Sequence, residues 1–307
     1  MSKNIQAYEY ITAKAIIANL PRIIQTYIPE NFQAKPPKTD LGTILAGIMI
    51  GDSAGQPYEG FGFPKDKDPD TIPLIPESVT WTDDTAMTMA VLDAARQSSA
   101  NNLSNLQTYI CYRTMLKLYA KQYGDKGYGG AFYMWAVLDQ NAKRYRSFGN
   151  GSAMRAGCLG GMFEDVEDVI RHACISAIPT HSHPEGIKGA IVTAVCTWMA
   201  NHGATKKQIL AYAEKHYPDG YRTTKEYFYG NARWMAPGLT IAELKNLEPI
   251  TAKPYCQVSV PEAVSILLES DSFEICIRNI LRFWCDTDTV GAIAGTMAAA
   301  YYGNTNI

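Results

Sequence analysis

Apolar residues recur every three or four positions through 11–28, 41–50, 86–95, 106–119 and 187–199, and almost nowhere at every second position. That spacing lines one face of a helix and leaves no half-buried sheet to build on, so it predicts an all-α chain. The clearest strand candidate is 257–260, too short to organise a sheet. With 307 residues the chain can bury a large core, and residues 41–307 read as one helical domain. Residues 1–40 read as an N-terminal extension: an amphipathic helical arm, broken or restarted at Pro21, then a Pro-rich linker over 29–37.

Apolar residues make up 47% of the chain and charged residues 19%, with 28 Lys+Arg against 30 Asp+Glu. This balance excludes a disordered tail protein and a basic nucleic-acid binder. The 7 cysteines are scattered without a CxxC pair, which argues against a zinc module or a disulfide framework. Neither a secretory leader nor a membrane span is readable, so the expected setting is the cytoplasm.

Two short acidic clusters stand directly before helical patterns. Thr82-Asp83-Asp84-Thr85 precedes 86–95, and Asp286-Thr287-Asp288-Thr289 precedes a helix over 290–302. Either cluster alone can be a helix cap. Two such clusters converging on one point would surround cations with hard oxygen donors, favouring Mg2+, Mn2+ or Ca2+ over zinc. The second helix carries Gly291, Ala292, Ala294, Gly295, Ala298 and Ala299, so its neighbours can approach closely and it should be central and buried. Gly51, Gly55 and Pro57 are expected to end the 41–50 helix in a sharp loop that returns Glu59 toward the same centre. Gly127-Tyr128-Gly129-Gly130 reads equally well as a helix-initiating turn or as a helix start offered to a ligand. His181 and His183 lie on a turn before Pro184, where loop histidines held by hydrogen bonds are the commoner case.

Taken in order, Gly47-Ile48-Met49-Ile50-Gly51-Asp52 with Glu59, Thr82-Asp83-Asp84-Thr85, 147–155, Thr180-His181-Ser182-His183-Pro184 and 286–295 resemble the ADP-ribosylglycohydrolase family, including the dinitrogenase reductase-activating glycohydrolases. The resemblance covers 41–303. It implies a compact helical fold holding two divalent cations, Mg2+ or Mn2+, and hydrolysis of the glycosidic bond between ADP-ribose and a protein side chain, arginine first. Thr82, Asp83 and Asp84 would ligate from one side and Asp286, Asp288 and Thr289 from the other, with Asp288 shared between the ions. Asp84 and Glu59 would act as catalytic carboxylates, one of them as base to the attacking water.

The 147–155 segment has the character of a diphosphate cradle, since Gly149 and Gly151 let the backbone N–H groups approach an anion. Ser147, Phe148, Gly149, Asn150, Gly151, Ser152 and Met154 are therefore the expected substrate contacts, Phe148 by stacking on adenine or ribose, and the resemblance implies His181 as a further one. Trp284 and Cys285 stand where relatives usually have two glycines, and many relatives continue beyond the point matching Ile307. Some bacterial relatives with an N-terminal extension neutralise ADP-ribosyltransferase toxins, and by that likeness residues 1–40 would bind such a toxin, although a dimer arm or an edge helix would have the same pattern. Two other functions compete: a toxin-blocking module without activity, and a hydrolase of a free ADP-ribose derivative.

Overall fold

The computed structural model describes residues 11–59, 63–64, 67–138, 145–218, 255–282 and 286–307. Helical residues 11–18 lead into α1 (Leu20–Tyr27), followed by α2 (Leu41–Gly55) and a 3-10 turn (Gln56–Tyr58). The long pair α3 (Asp83–Ala100) and α4 (Asn105–Gln122) comes next, then short α5 (Gly130–Tyr133), which continues as one π turn (Met134–Leu138). After a 3-10 turn (Asn150–Ser152) come α6 (Gly157–Met162), α7 (Val166–Ala177), α8 (Pro184–Asn201) and α9 (Lys206–His216). Cys256–Leu268, Phe273–Leu281 and Thr287–Tyr302 form α10, α11 and α12. Extended pairing among the described residues is confined to two isolated bridges, Arg146 with His181 and Gly149 with Tyr255, so the fold is all-α.

The strand expected at 257–260 is instead part of α10. Its buried residues Cys256, Val260, Ala263, Val264 and Leu267 fall on helical spacing and pack against α8 and α12. That burial outweighs the backbone hydrogen bond lost at Pro261 inside the helix.

A second correction concerns Gly51, which does not end α2: the helix runs through it and stops at Gly55, before the 3-10 turn that carries Pro57. The reason lies in α12, which packs antiparallel on α2 with backbone against backbone. A Cβ built on Gly51 would stand 2.0 Å from the carbonyl oxygen of Gly291, and one on Gly55 2.2 Å from that of Thr287. Reciprocally, a Cβ on Gly291 would meet the Gly51 oxygen at 2.2 Å and one on Gly295 the Gly47 oxygen at 2.3 Å. Each glycine costs α2 roughly 1 kcal/mol of helix propensity, which the close contact offsets. Thr287 Oγ1 donates to the Gly55 carbonyl at 2.9 Å, satisfying one of the carbonyls a helix end leaves open. As expected from its small side chains, α12 is buried from Thr287 to Ala300.

The described part of the extension lies along α7, α8 and α9. Leu20 is buried, Tyr27 stacks on His216 at 4.5 Å, and Phe32 meets Trp198 edge-on at 5.6 Å. The backbone N–H groups of Lys35 and Lys38 donate to the carbonyls of His202 and Asn201. No described helix is long and apolar enough to cross a membrane.

Candidate metal centre and substrate cavity

The two acidic helix starts are mounted differently. Thr82 is the N-cap of α3, its hydroxyl accepting from the Asp84 N–H, and Asp83 and Asp84 occupy the first turn where the helix dipole favours them. Asp52, buried in α2, ties this turn down. One of its oxygens accepts from Thr82 N–H (2.9 Å) and Thr85 N–H (3.1 Å) and from the Thr85 hydroxyl (2.5 Å), and the other from the Thr82 hydroxyl (2.9 Å). Asp52 thus serves as a cap supplied by another helix.

At the start of α12, Asp286 makes no capping hydrogen bond. Its Oδ2 accepts from Asn150 Nδ2 at 2.7 Å, and the same amide reaches Ser259 Oγ at 3.0 Å. Asp288 Oδ1 accepts from the Thr289 N–H at 2.9 Å, and Thr289 Oγ1 donates to Asp84 Oδ2 at 3.3 Å, so the two starts touch. Trp284 and Cys285 lie outside the described residues.

Two carboxylate triads result: Asp52, Asp84 and Asp288, and Glu59, Asp286 and Asp288, each offering oxygens within 4.8 Å of one another. Asp288 belongs to both. Burial, then the charges of its acidic neighbours, holds Asp84 well above the usual carboxylate range and does the same to Asp288. Asp83 is pushed up to about 8 by burial and by Asp52, Asp286 and Glu59. Burial, with Asp286 and Asp52, raises Glu59 as well, and burial raises Asp52 against the pull of its threonine donors.

Carboxylates this close cannot all ionise at neutral pH unless positive charge joins them. Asp84 Oδ1, buried and with no hydrogen-bond partner among the described residues, is an acceptor left for such a charge. The donors are hard oxygens without a sulfur or imidazole among them, so the set fits divalent cations of the magnesium or manganese type.

A cavity of about 360 Å³ opens beside the acids, walled by Glu59, Asp83, Asp84, Asp286, Asp288 and Thr289 on one side. Gly127, Gly129, Gly130 and Phe132 face it from the start of α5. Of the residues expected from the sequence to contact substrate, Ser147, Gly149, Asn150, Gly151, Met154 and His181 line it. Phe148 does not: its ring is turned outward between His183 (5.3 Å) and Tyr255 (4.9 Å) and is 37% exposed. Ser152 is buried behind the wall, donating to the Gly186 carbonyl at 2.7 Å, and Thr82 is likewise set back, held by Asp52 and Asp84.

Residues that sequence reasoning did not select also belong to the site: Met87, Ala131 and Phe132 line the cavity with their apolar side chains, and Asp52, Arg155 and Tyr145 add polar groups. Asp52 was visible as a lone acid on an apolar helix, and Arg155 as a lone cation in the apolar run 153–159. Tyr145, also on the cavity wall, carried no sequence signal.

The comparisons with known proteins give the class first. Residues 41–307 match the model of the ADP-ribosylglycohydrolase family, and the chain belongs to that family of glycosidic hydrolases acting on ADP-ribosylated substrates. More particularly, it is similar to ADP-ribosylhydrolase ARH3 of mouse, 25% identical over 318 residues that cover 84% of this chain and 82% of the mouse protein. Human ARH3 is also 25% identical, covering 84% of both chains. A solved structure described as an ADP-ribosylglycohydrolase-related protein complex shares the fold, with a TM-score of 0.58 and 23% identity over 87% of this chain and 88% of that one.

Proposed function

We propose that the chain releases ADP-ribose from modified protein side chains, arginine-linked first, with two divalent cations, Mg2+ or Mn2+, held by Asp83, Asp84, Asp286, Asp288, Thr82 and Thr289. The observation that carries this reading is the pair of triads sharing Asp288, one through Asp84 and the other through Asp286, with Asp84 Oδ1 unpartnered among the described residues. Bound there, the cations would supply positive charge to orient ribose hydroxyls and to acidify a water.

The chain's own groups then have distinct tasks. Glu59, at the exposed rim, is the base with a path to pass a proton to solvent, and Asp84, the second catalytic carboxylate, is buried beneath it. Asn150 holds Asp286 in place, and the glycines of 149–151 leave backbone space for the diphosphate. His181 is kept neutral by burial and by Arg155, so it meets the substrate as an uncharged contact.

The test is to incubate the protein with arginine-linked and serine-linked ADP-ribosylated substrates, with Mg2+ or Mn2+ and with chelator. Metal-dependent release from the arginine linkage is expected. Release from the serine linkage alone would reassign the linkage, and release from neither would remove protein side chains as substrates.

We further propose residues 1–40 as the contact for a cognate ADP-ribosyltransferase toxin. In support, the extension precedes the matched core, and none of its described residues lines the cavity. Toxin capture by the full chain but not by one starting at residue 41 is the expected result.

A further inference from the structure

Arg155, Thr180 and His181 form a buried line of hydrogen bonds that ends at the cavity, and the carboxylate chemistry above leaves it unexplained. Arg155 follows the 3-10 turn at Asn150–Ser152, is 1% exposed and, among the described residues, has no carboxylate as a hydrogen-bond partner. Its Nη2 donates to the carbonyl of Ser176 (3.3 Å) in the last turn of α7, where the helix dipole favours a cation, and to Thr180 Oγ1 (2.9 Å). Thr180 Oγ1 lies 2.7 Å from His181 Nδ1.

The proton on each atom follows from counting donors. A guanidinium only donates, so the Thr180 oxygen accepts on that side. Its hydroxyl carries one proton, and among the described residues the remaining partner in reach is His181 Nδ1. Thr180 is fully buried, so aiming that proton elsewhere would leave a donor unpaired in the interior. Thr180 therefore donates, Nδ1 accepts, and the neutral ring holds its proton on Nε2. That edge of the ring sits over Gly151, where an added Cβ would stand 3.2 Å from Nε2, on the cavity wall.

We infer that Arg155 and Thr180 are positioning residues that lock His181 as the neutral tautomer protonated on Nε2, making it a fixed hydrogen-bond donor to an acceptor oxygen of ADP-ribose. The lock stands on the hydrogen bonds alone, while the identity of the acceptor rests on the function proposed above. Without the lock part of the population would carry the proton on Nδ1, present Nε2 as an acceptor and face the substrate's oxygens lone pair to lone pair.

The experiment reads the imidazole nitrogens of the full chain, uniformly labelled with 15N, by NMR between about pH 6 and 8. His181→Asn identifies the His181 signals among the 5 histidines. Wild type should show His181 protonated on Nε2 with Nδ1 bare. Thr180→Val and Arg155→Met should each give mixed tautomers, and Thr180→Ser should restore the single form. Calorimetry with Mg2+ present should show ADP-ribose binding about tenfold weaker in Thr180→Val, a loss of roughly 1.4 kcal/mol, with Thr180→Ser recovering the affinity. An equal loss for ADP assigns the acceptor to the diphosphate; a loss for ADP-ribose alone assigns it to the terminal ribose.

A wild-type His181 protonated on Nδ1 overturns the proposal even if the variants fail to fold, and so does undiminished ADP-ribose binding by Thr180→Val. Wild-type protein that shows the Nε2 form yet binds no ADP-ribose overturns the reading of the cavity and leaves the lock standing.

Discussion

Thr82-Asp83-Asp84-Thr85 and Asp286-Thr287-Asp288-Thr289 look like two copies of one device, but they are built into the molecule by opposite means. The first is held by side chains: Asp52 reaches across from α2 and takes the N–H and hydroxyl groups of Thr82 and Thr85. The second is held by backbone: α12 lies against α2 at distances only glycine allows, and Thr287 fastens the contact to Gly55. Both mounts lead back to α2. A similar row of oxygen donors can therefore be vulnerable to loss of a hydrogen-bond acceptor at one end and to gain of a methyl group at the other.

Removing a carboxylate tests what the two starts share. Asp84→Asn and Asp288→Ala should each lower ADP-ribose release by roughly 10³-fold, about 4 kcal/mol of activation free energy, in a single-turnover assay. The same Asp84→Asn should raise the melting temperature of metal-free protein, because a buried, mutually repelled carboxylate is gone. An Asp84→Asn protein that keeps a tenth of its activity would show that the catalytic charge lies elsewhere.

The next pair separates the mounts. Gly291→Ala should destabilise the fold by about 3 kcal/mol, since its Cβ meets a backbone oxygen at 2.2 Å and the helices must part. Asp52→Asn should cost about 1–3 kcal/mol, because its amide nitrogen cannot accept from donors that now face it. The two should also differ in kind: Asp52→Asn should weaken Mg2+ binding roughly 10–100-fold, far more in proportion to the stability lost than Gly291→Ala does. Denaturant melts paired with metal titrations decide it; proportional losses in both would erase the distinction.

The smallest effect is a slope. Asp83 has a folded pKa of about 8 against an ordinary value of 3.8, so metal-free folded protein binds more protons than unfolded chain between those limits. The stability this group supplies is complete below about 4 and is lost as pH rises through about 8. Metal-free protein should therefore melt at progressively lower temperature from about pH 5.5 to 8.5, and saturating Mg2+ should flatten that decline.

The helix starts were legible because Thr and Asp before an apolar period are local signals, and the small side chains of α12 announced a buried helix before any partner was known. Gly51 misled for the same local reason. A glycine in a short window reads as a turn, whereas this one is explained by Gly291, far along the chain. The 257–260 segment read as a strand because its helical partners, α8 and α12, are not its neighbours in sequence. Arg155 had the same difficulty: its meaning comes from Ser176 and Thr180, which only the fold brings to it.

The contact between Thr287 and Gly55 spans 232 residues, and this sets when the site comes into being as the chain folds. Closing a loop of that length costs roughly 5 kcal/mol of chain entropy before any contact across it returns energy. Until α12 docks, α2 carries a bare strip of glycine backbone, and the acids of α3 face solvent without Asp286 and Asp288 beside them. The repulsion between the two acidic starts arises only with that docking. Docking of α12 is thus the association that bound cations would favour, and that acid would favour in their absence.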